Sequence, residues 1–361
     1  MGLKIMESFR DPVLAGQLVA KIRNDARRPL RIMEVCGTHT TAIFRHGIRS
    51  LLPDTLTLLS GPGCPVCVTA RKDMDAFVAL AGQPDVIVTT FGDLMKVPGS
   101  GSTLAGQKAC GAEVRMVYSV FDAVTVAVQN PGKQVVFCAV GFETTLPAIA
   151  AAVLLAADRK VTNFSIYCAG KLTPPALAAL METDGVEIDG FLLPGHVSVI
   201  TGIDAFLPVF ETHWIPSVIT GFEPIDILEA VSILVHQNRI GKPALVNAYP
   251  RAVKDRGNPK ARAVMHQVFQ VCDADWRGIG TIAASGMALK PAYSEFDANA
   301  RFTLDLPDLP PPRGCACGEI LMGLKTPAGC PLYKRACTPL TPVGPCMVSS
   351  EGACAAYYRY A

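Results

Sequence analysis

The sequence is poor in charge. Asp, Glu, Lys and Arg make up 18% of 361 residues, and 33 basic against 31 acidic side chains leave a formal net charge of +2. No polybasic face is available for a phosphate backbone, which excludes nucleic acid as the main partner. Long hydrophobic runs are also lacking. Mean hydropathy is +0.32, yet the longest apolar stretch, Leu146 to Ala157, carries Pro147 and is too short to cross a bilayer, so no membrane partner is expected. It reads instead as a helix buried between layers. The opening Met-Gly-Leu-Lys-Ile-Met has no basic segment followed by an apolar core and a small-residue cleavage site. A cytoplasmic setting with reduced thiols is therefore the expectation.

Cysteine, by contrast, is plentiful and unevenly placed. Of thirteen, six fall in the last 47 residues, at Cys315, Cys317, Cys330, Cys337, Cys346 and Cys354, in a stretch studded with Pro and Gly. Such a tail is either a disulfide-stapled module or a shell around metal, and a reducing compartment favours metal or transient redox chemistry. A chain of this length can bury real cores without disulfides.

Between about residues 30 and 235 one unit recurs: a β-branched apolar run, a Gly-containing turn, then a helical apolar period. The strands expected are Arg31–Val35, Leu56–Leu59, Val86–Thr90, Val114–Tyr118, Gln134–Val140, Phe164–Tyr167, Ile188–Leu193 and Ile215–Thr220. Strands alternating with helices imply parallel sheets covered on both faces, an α/β fold. Thr-rich turns after the first and fifth strands, and related segments at the fourth and eighth, suggest duplication as four plus four. A single eight-stranded barrel is the competing arrangement. The expected domains are 30–120, 121–238, and a third, irregular one combining 1–29 with 239–361. Asp11-Pro12 opens a helix to about Asp25, and Asn258-Pro259 another to about Cys272. Beyond Gly278 the pattern breaks up, and Leu306 to Arg313 reads as a proline-laden connector.

Ligands of open α/β sheets bind beyond the carboxyl ends of the strands, and three turns there carry chemistry. In Cys36-Gly37-Thr38-His39-Thr40, a cysteine ahead of a helix should have a lowered pKa, as a soft ligand or nucleophile requires, with His39 able to accept a proton or ligate. The plainer reading makes Cys36 a small buried hydrophobe and His39 a partner of a backbone carbonyl. Gly61-Pro62-Gly63-Cys64-Pro65-Val66-Cys67 sets Cys-x-x-Cys between strand and helix. With no second such pair to complete a zinc ribbon, Cys64 and Cys67 read as a redox pair. Gly141-Phe142-Glu143-Thr144-Thr145, with Gly92-Asp93, Lys171 and Pro194-Gly195-His196 on corresponding turns, could cradle an anion, but neither a Walker A motif nor Gly-x-Gly-x-x-Gly is present and ordinary turn roles suffice. Cys110, Cys138, Cys168 and Cys272 read as packing residues.

The tail has neither the Cys-x-x-x-Cys-x-x-Cys triplet nor the tight ferredoxin run. Its wide spacing suggests ligands gathered from an irregular wrap: four on a four-iron cluster, and two left as a dithiol within electron-transfer reach. A structural zinc site with spare thiols is the alternative.

Together with Pro194-Gly195-His196-Val197-Ser198 and Cys346-Met347-Val348-Ser349-Ser350-Glu351-Gly352-Ala353-Cys354, these turns and this tail resemble the hydrogenase maturation protein D family over nearly the whole chain. The resemblance implies two similar Rossmann-like α/β domains plus a smaller iron–sulfur domain. It implies a 4Fe-4S cluster on Cys315, Cys330, Cys337 and Cys354, leaving Cys317 and Cys346 as the neighbouring redox pair. Swapping Cys317 for Cys315 as ligand fits the spacing nearly as well. The implied function is nickel–iron hydrogenase maturation, a redox-active scaffold more than an enzyme. Fe(II) carrying cyanide and carbon monoxide would be held transiently at Cys36, His39 would tune that thiolate, and electrons would pass by Cys317 and Cys346 to Cys64 and Cys67. Implied partners are the small maturation protein C chaperone and the cyanide-donating maturation protein E. A cluster-dependent thiol–disulfide reductase without iron cargo is the alternative.

Overall fold

The computed structural model describes residues 9–306 and 312–361. Most of the expected connector, 307–311, lies outside the described residues. All eight expected strands form, and three more join them. In chain order they are β1 Leu30–Glu34, β2 Leu56–Ser60, β3 Val86–Thr90, β4 Glu113–Met116, β5 Gln134–Ala139, β6 Phe164–Cys168, β7 Gly190–Pro194, β8 Ser217–Thr220, β9 Leu245–Asn247, β10 Phe269–Trp276 and β11 Gly280–Leu289.

Two parallel sheets result, in the orders β2-β1-β7-β8-β9 and β4-β3-β5-β6. The fold is α/β with two Rossmann-like units, and the single-barrel alternative is excluded. The division at 120/121 is corrected, because the units are nested. The chain starts the first sheet, leaves after β2 to build the whole second sheet, and returns at β7 to finish the first. Both sheets run edge, first strand, third, fourth, so β3 is the counterpart of β1 and β5 that of β7. Strand–turn–helix units look alike along a sequence, whereas pairing is set by which apolar faces fit. Here β7, buried throughout, seats against β1 with Met33 opposite Phe191. Ile32 and Met33 point to opposite faces and both are fully buried. Truncating either to Ala should cost about 2–5 kcal/mol.

The Leu146–Asp158 helix buries Leu146, Ile149, Ala150, Val153 and Ala156 against the second sheet, as its apolar run predicts. The Pro12–Asp25 helix begins where expected, with Asp11 Oδ1 accepting from the Val13 and Leu14 N–H groups at 2.8 and 3.3 Å. It does not join the tail. Val19 and Ile22 pack with Leu228 and Val231 of the Pro224–Ile240 helix on the first sheet, because its apolar stripe meets the larger apolar face there. The helix capped by Asn258 stops at Val268 and runs directly into β10, which pairs antiparallel with β11. This hairpin bridges the second unit and the tail: Phe269, Met287 and Leu289 pack on the second sheet, whereas Trp276 and Ile282 join the core that includes the tail cysteines. Among the described residues no helix is long and apolar enough to cross a membrane.

Candidate sulfur-rich site

In the first sheet, connections leave in opposite directions from β1 and β7, the kind of switch point where α/β sheets bind ligands. Cys36 stands there, two residues past β1, in extended conformation as the N-cap of the Gly37–Arg45 helix. Two other segments close on it. The Gly37 N–H donates to Gly63 O at 3.3 Å, and a Cβ on Gly63 would lie 2.5 Å from Cys36 Cα. From the tail, Glu351 presses on Gly37 so closely that a Cβ there would be 2.5 Å from Glu351 Cβ, and Thr38 Oγ1 donates to Glu351 Oε1 at 2.8 Å. Glycine at 37 and 63 is what permits three backbones to meet.

The expected low pKa of Cys36 is not found. Burial, then the Glu351 carboxylate, push the thiol up to about 11, outweighing the backbone N–H groups of His39 and Thr38 that favour the thiolate. The helix N-terminus is real, but Cys36 is only 7% exposed and feels the charge of the Glu351 carboxylate. His39 is fully buried, its Nε2 2.9 Å from Gly221 O, and its ring stacks on Phe222, which stacks in turn on His196. Burial holds the His39 ring down to about 4, so it is neutral at pH 7, and its Nδ1 meets no partner among the described residues.

Cys64 caps the short Pro65–Val68 helix, its sulfur accepting from the Cys67 N–H at 3.2 Å, and the two are joined as a disulfide. That helix packs against Pro345–Met347, the turn that carries Cys346.

All six tail thiols line one small apolar cavity of about 10 Å³, with Ile320, Leu332, Tyr333 and Met347 among its walls. Cys317 and Cys346 approach to 2.8 Å between sulfurs. Cys354 faces the others: burial first, then the charges of Cys317, Cys337, Cys330 and Cys315, push its thiol well up. Among the described residues no three His, Cys, Asp or Glu groups are set to hold a single metal ion. A lone tetrahedral zinc would draw its sulfurs to about 2.3 Å of one centre. Six thiols gathered on one apolar space offer soft sulfur donors, and Cys315, Cys330, Cys337 and Cys354 could supply four of them to an iron–sulfur cluster.

The family model HypD, described as the hydrogenase formation hypA family, matches residues 13–361. The chain is 44% identical to hydrogenase maturation factor HypD2 of Bradyrhizobium diazoefficiens, covering 99% of this chain and 97% of that one. It is 41% identical to hydrogenase maturation factor HypD of Rhodobacter capsulatus and 43% identical to that of Escherichia coli, in each case over 99% of this chain and 98% of the other. The chain belongs to the HypD family.

Several groups in this HypD-family chain were not singled out by sequence. Glu34 ends β1 fully buried, with Ser60 Oγ at 2.9 Å, Thr40 Oγ1 at 3.3 Å and Arg49 at 3.5 Å. Burial raises it to about 7 despite Arg49. Arg49 sits between Phe44 and Tyr357 and donates to the Tyr357 hydroxyl at 2.9 Å, fastening the last helix to the first unit. A carboxylate closing an apolar strand was the available signal. Arg277 occupies the tight turn between β10 and β11 beside Cys317 and left no sequence signal, because the hairpin was not foreseen. The anion-cradle turn is a closed interior: Glu143 accepts from the Thr173 N–H and Oγ1 at 2.7 and 3.0 Å, and Lys171 is buried 3.7 Å from Asp73. Of the cysteines read as packing residues, Cys138 is buried and Cys168 and Cys272 half-buried, but Cys110 is exposed, at the end of the Leu104–Ala109 helix.

Proposed function

We propose that this chain is the scaffold on which the Fe(CN)2CO unit of nickel–iron hydrogenase is assembled, iron being its substrate at Cys36. One observation carries the reading: Cys36, the Cys64–Cys67 pair and the tail are brought into backbone contact at one switch point, through Gly63 on one side and Gly37 with Glu351 on the other. Cys36 would stay protonated until a cation arrives, since its thiol lies at about 11, and iron binding would displace that proton. Neutral His39, fixed by Gly221 and Phe222, would brace the turn that carries Cys36. Cys315, Cys330, Cys337 and Cys354 would hold a 4Fe-4S cluster, which when bound supplies single electrons. Cys317 and Cys346, 2.8 Å apart between sulfurs, would close and open as a disulfide, and the Pro65–Val68 helix, which carries Cys67, packs on the turn that carries Cys346. The proposed partners are a small chaperone of the maturation protein C type and the cyanide-donating protein E, in the cytoplasm.

Infrared spectra of the anaerobically purified complex with its chaperone test this. Wild type should show cyanide and carbonyl stretches, and Cys36→Ala should lose them while keeping brown absorption from the tail. Bands that persist in Cys36→Ala would refute the role of Cys36. The Cys64–Cys67 disulfide also suits a thiol–disulfide reductase without iron cargo, which predicts no such bands in wild type.

A further inference from the structure

A second, larger cavity borders the cysteine shell. Its volume is about 380 Å³, and its wall includes Cys315, Cys317, Arg71, Lys72, Asp75 and Arg277. Most of its charges are engaged. Lys72 pairs with Asp275, and Asp75 accepts from the Ser100 N–H and hydroxyl at 2.5 and 2.6 Å. Arg277 differs. Its backbone N–H is fixed on Val68 O at 2.9 Å and its Nη2 reaches Pro98 O at 3.4 Å, but its Nε is sealed from solvent with no acceptor among the described residues. The residue as a whole is only partly buried and lines the cavity, so the rest of its guanidinium is a cation that the cavity offers to an anion. Cys317 is 7% exposed, which favours a reductant small enough to enter.

We propose that this cavity binds a small carboxylate-bearing thiol, with its carboxylate on Arg277 and its sulfur at Cys317, and so admits reducing equivalents from outside. The inference rests on the reading of Cys317 and Cys346 as a redox pair. With these two joined as a disulfide, the incoming thiolate attacks Cys317 Sγ. The Cys317–Cys346 bond breaks, a mixed disulfide forms at Cys317, and the electron pair leaves on Cys346, which takes the proton released by the first thiol. A second thiol attacks the mixed disulfide at the bound thiol's sulfur, so the small disulfide departs and Cys317 takes the second proton. Two thiols each lose one electron, and the two cysteines gain them.

The test uses the full chain, purified anaerobically and oxidised mildly, then exposed to mercaptosuccinate or to uncharged 2-mercaptoethanol. The state of Cys317 and Cys346 is read by alkylation and peptide mass spectrometry. In Arg277→Gln the mercaptosuccinate rate should fall about tenfold, the worth of one charged hydrogen bond, while the mercaptoethanol rate is unchanged. Equal rates for Arg277→Gln and wild type with mercaptosuccinate, or an equal fall with both thiols, would overturn the proposal. Should Arg277→Gln not fold, succinate added to wild type replaces it: it should slow mercaptosuccinate and spare mercaptoethanol, and no competition refutes the site. If Cys317 and Cys346 never form a disulfide, the redox-pair reading itself fails, and this proposal with it.

Discussion

Replacing His39 by Gln should change how stability depends on pH more than it changes stability itself. The folded ring titrates at about 4, whereas in the unfolded chain it returns to about 6.5. A depressed folded value means that the stability is fully present above the unfolded value and is lost as pH falls toward 4. At pH 8 neither state binds the proton. At pH 5 the unfolded state does and the folded state does not, and integrating that uptake gives a loss of about 2 kcal/mol. Wild-type measurements alone would blur this. Glu34 and Glu143, both raised to about 7 by burial, act in the opposite sense: their contribution is full below the ordinary carboxylate range and fades as pH rises through 7. The difference between wild type and His39→Gln isolates the ring. Urea unfolding at pH 8 and pH 5 should therefore show the gap between the two proteins narrowing by about 2 kcal/mol at the lower pH. Parallel curves would mean that His39 is not held neutral by burial, and the Phe222 stack would lose its explanation.

Two further substitutions bear on the site. Gly63→Ala puts a methyl 2.5 Å from Cys36 Cα, about 1 Å inside ordinary carbon contact. The Cys64–Cys67 loop must move by that much, with a stability loss of about 1–3 kcal/mol by thermal melting and cyanide loading slowed on the order of 100-fold; loading at the wild-type rate would remove the loop from the mechanism. Glu143→Gln keeps an acceptor for the Thr173 N–H but cannot ionise. It should gain about 2 kcal/mol relative to wild type between pH 5 and pH 8, read from urea midpoints, and an unchanged difference would show that Glu143 does not titrate near 7.

Much of the architecture could be read along the chain because it is local. Asp11 and Asn258 cap the helices they precede, and every expected strand in 30–235 forms within a few residues of its apolar run. What could not be read is long-range. Nothing in the segment around Ile188–Leu193 says that it pairs with β1 rather than with its predecessor, since that choice depends on Met33 meeting Phe191 across the sheet. The β10 and β11 hairpin was hidden because Cys, Asp and Gly interrupt its alternation, and with it went Arg277. At the site, the turns bearing Cys36 and Cys64 were recognisable from residue type and position. The direction of the Cys36 pKa was not, because its controlling carboxylate, Glu351, arrives from the other end of the chain.

The nested sheets also impose an order on biosynthesis. β1 leaves the ribosome with β2, but its other neighbour begins at Gly190, 156 residues after Glu34. At about 5–20 residues per second that is roughly ten to thirty seconds of translation. Throughout that interval Cys36 and the Cys64–Cys67 loop sit on an unfinished edge, without the wall that β7 and β8 later provide and without the tail that presses on Gly37. The nascent chain therefore makes the sulfurs of its proposed iron site first and encloses them last.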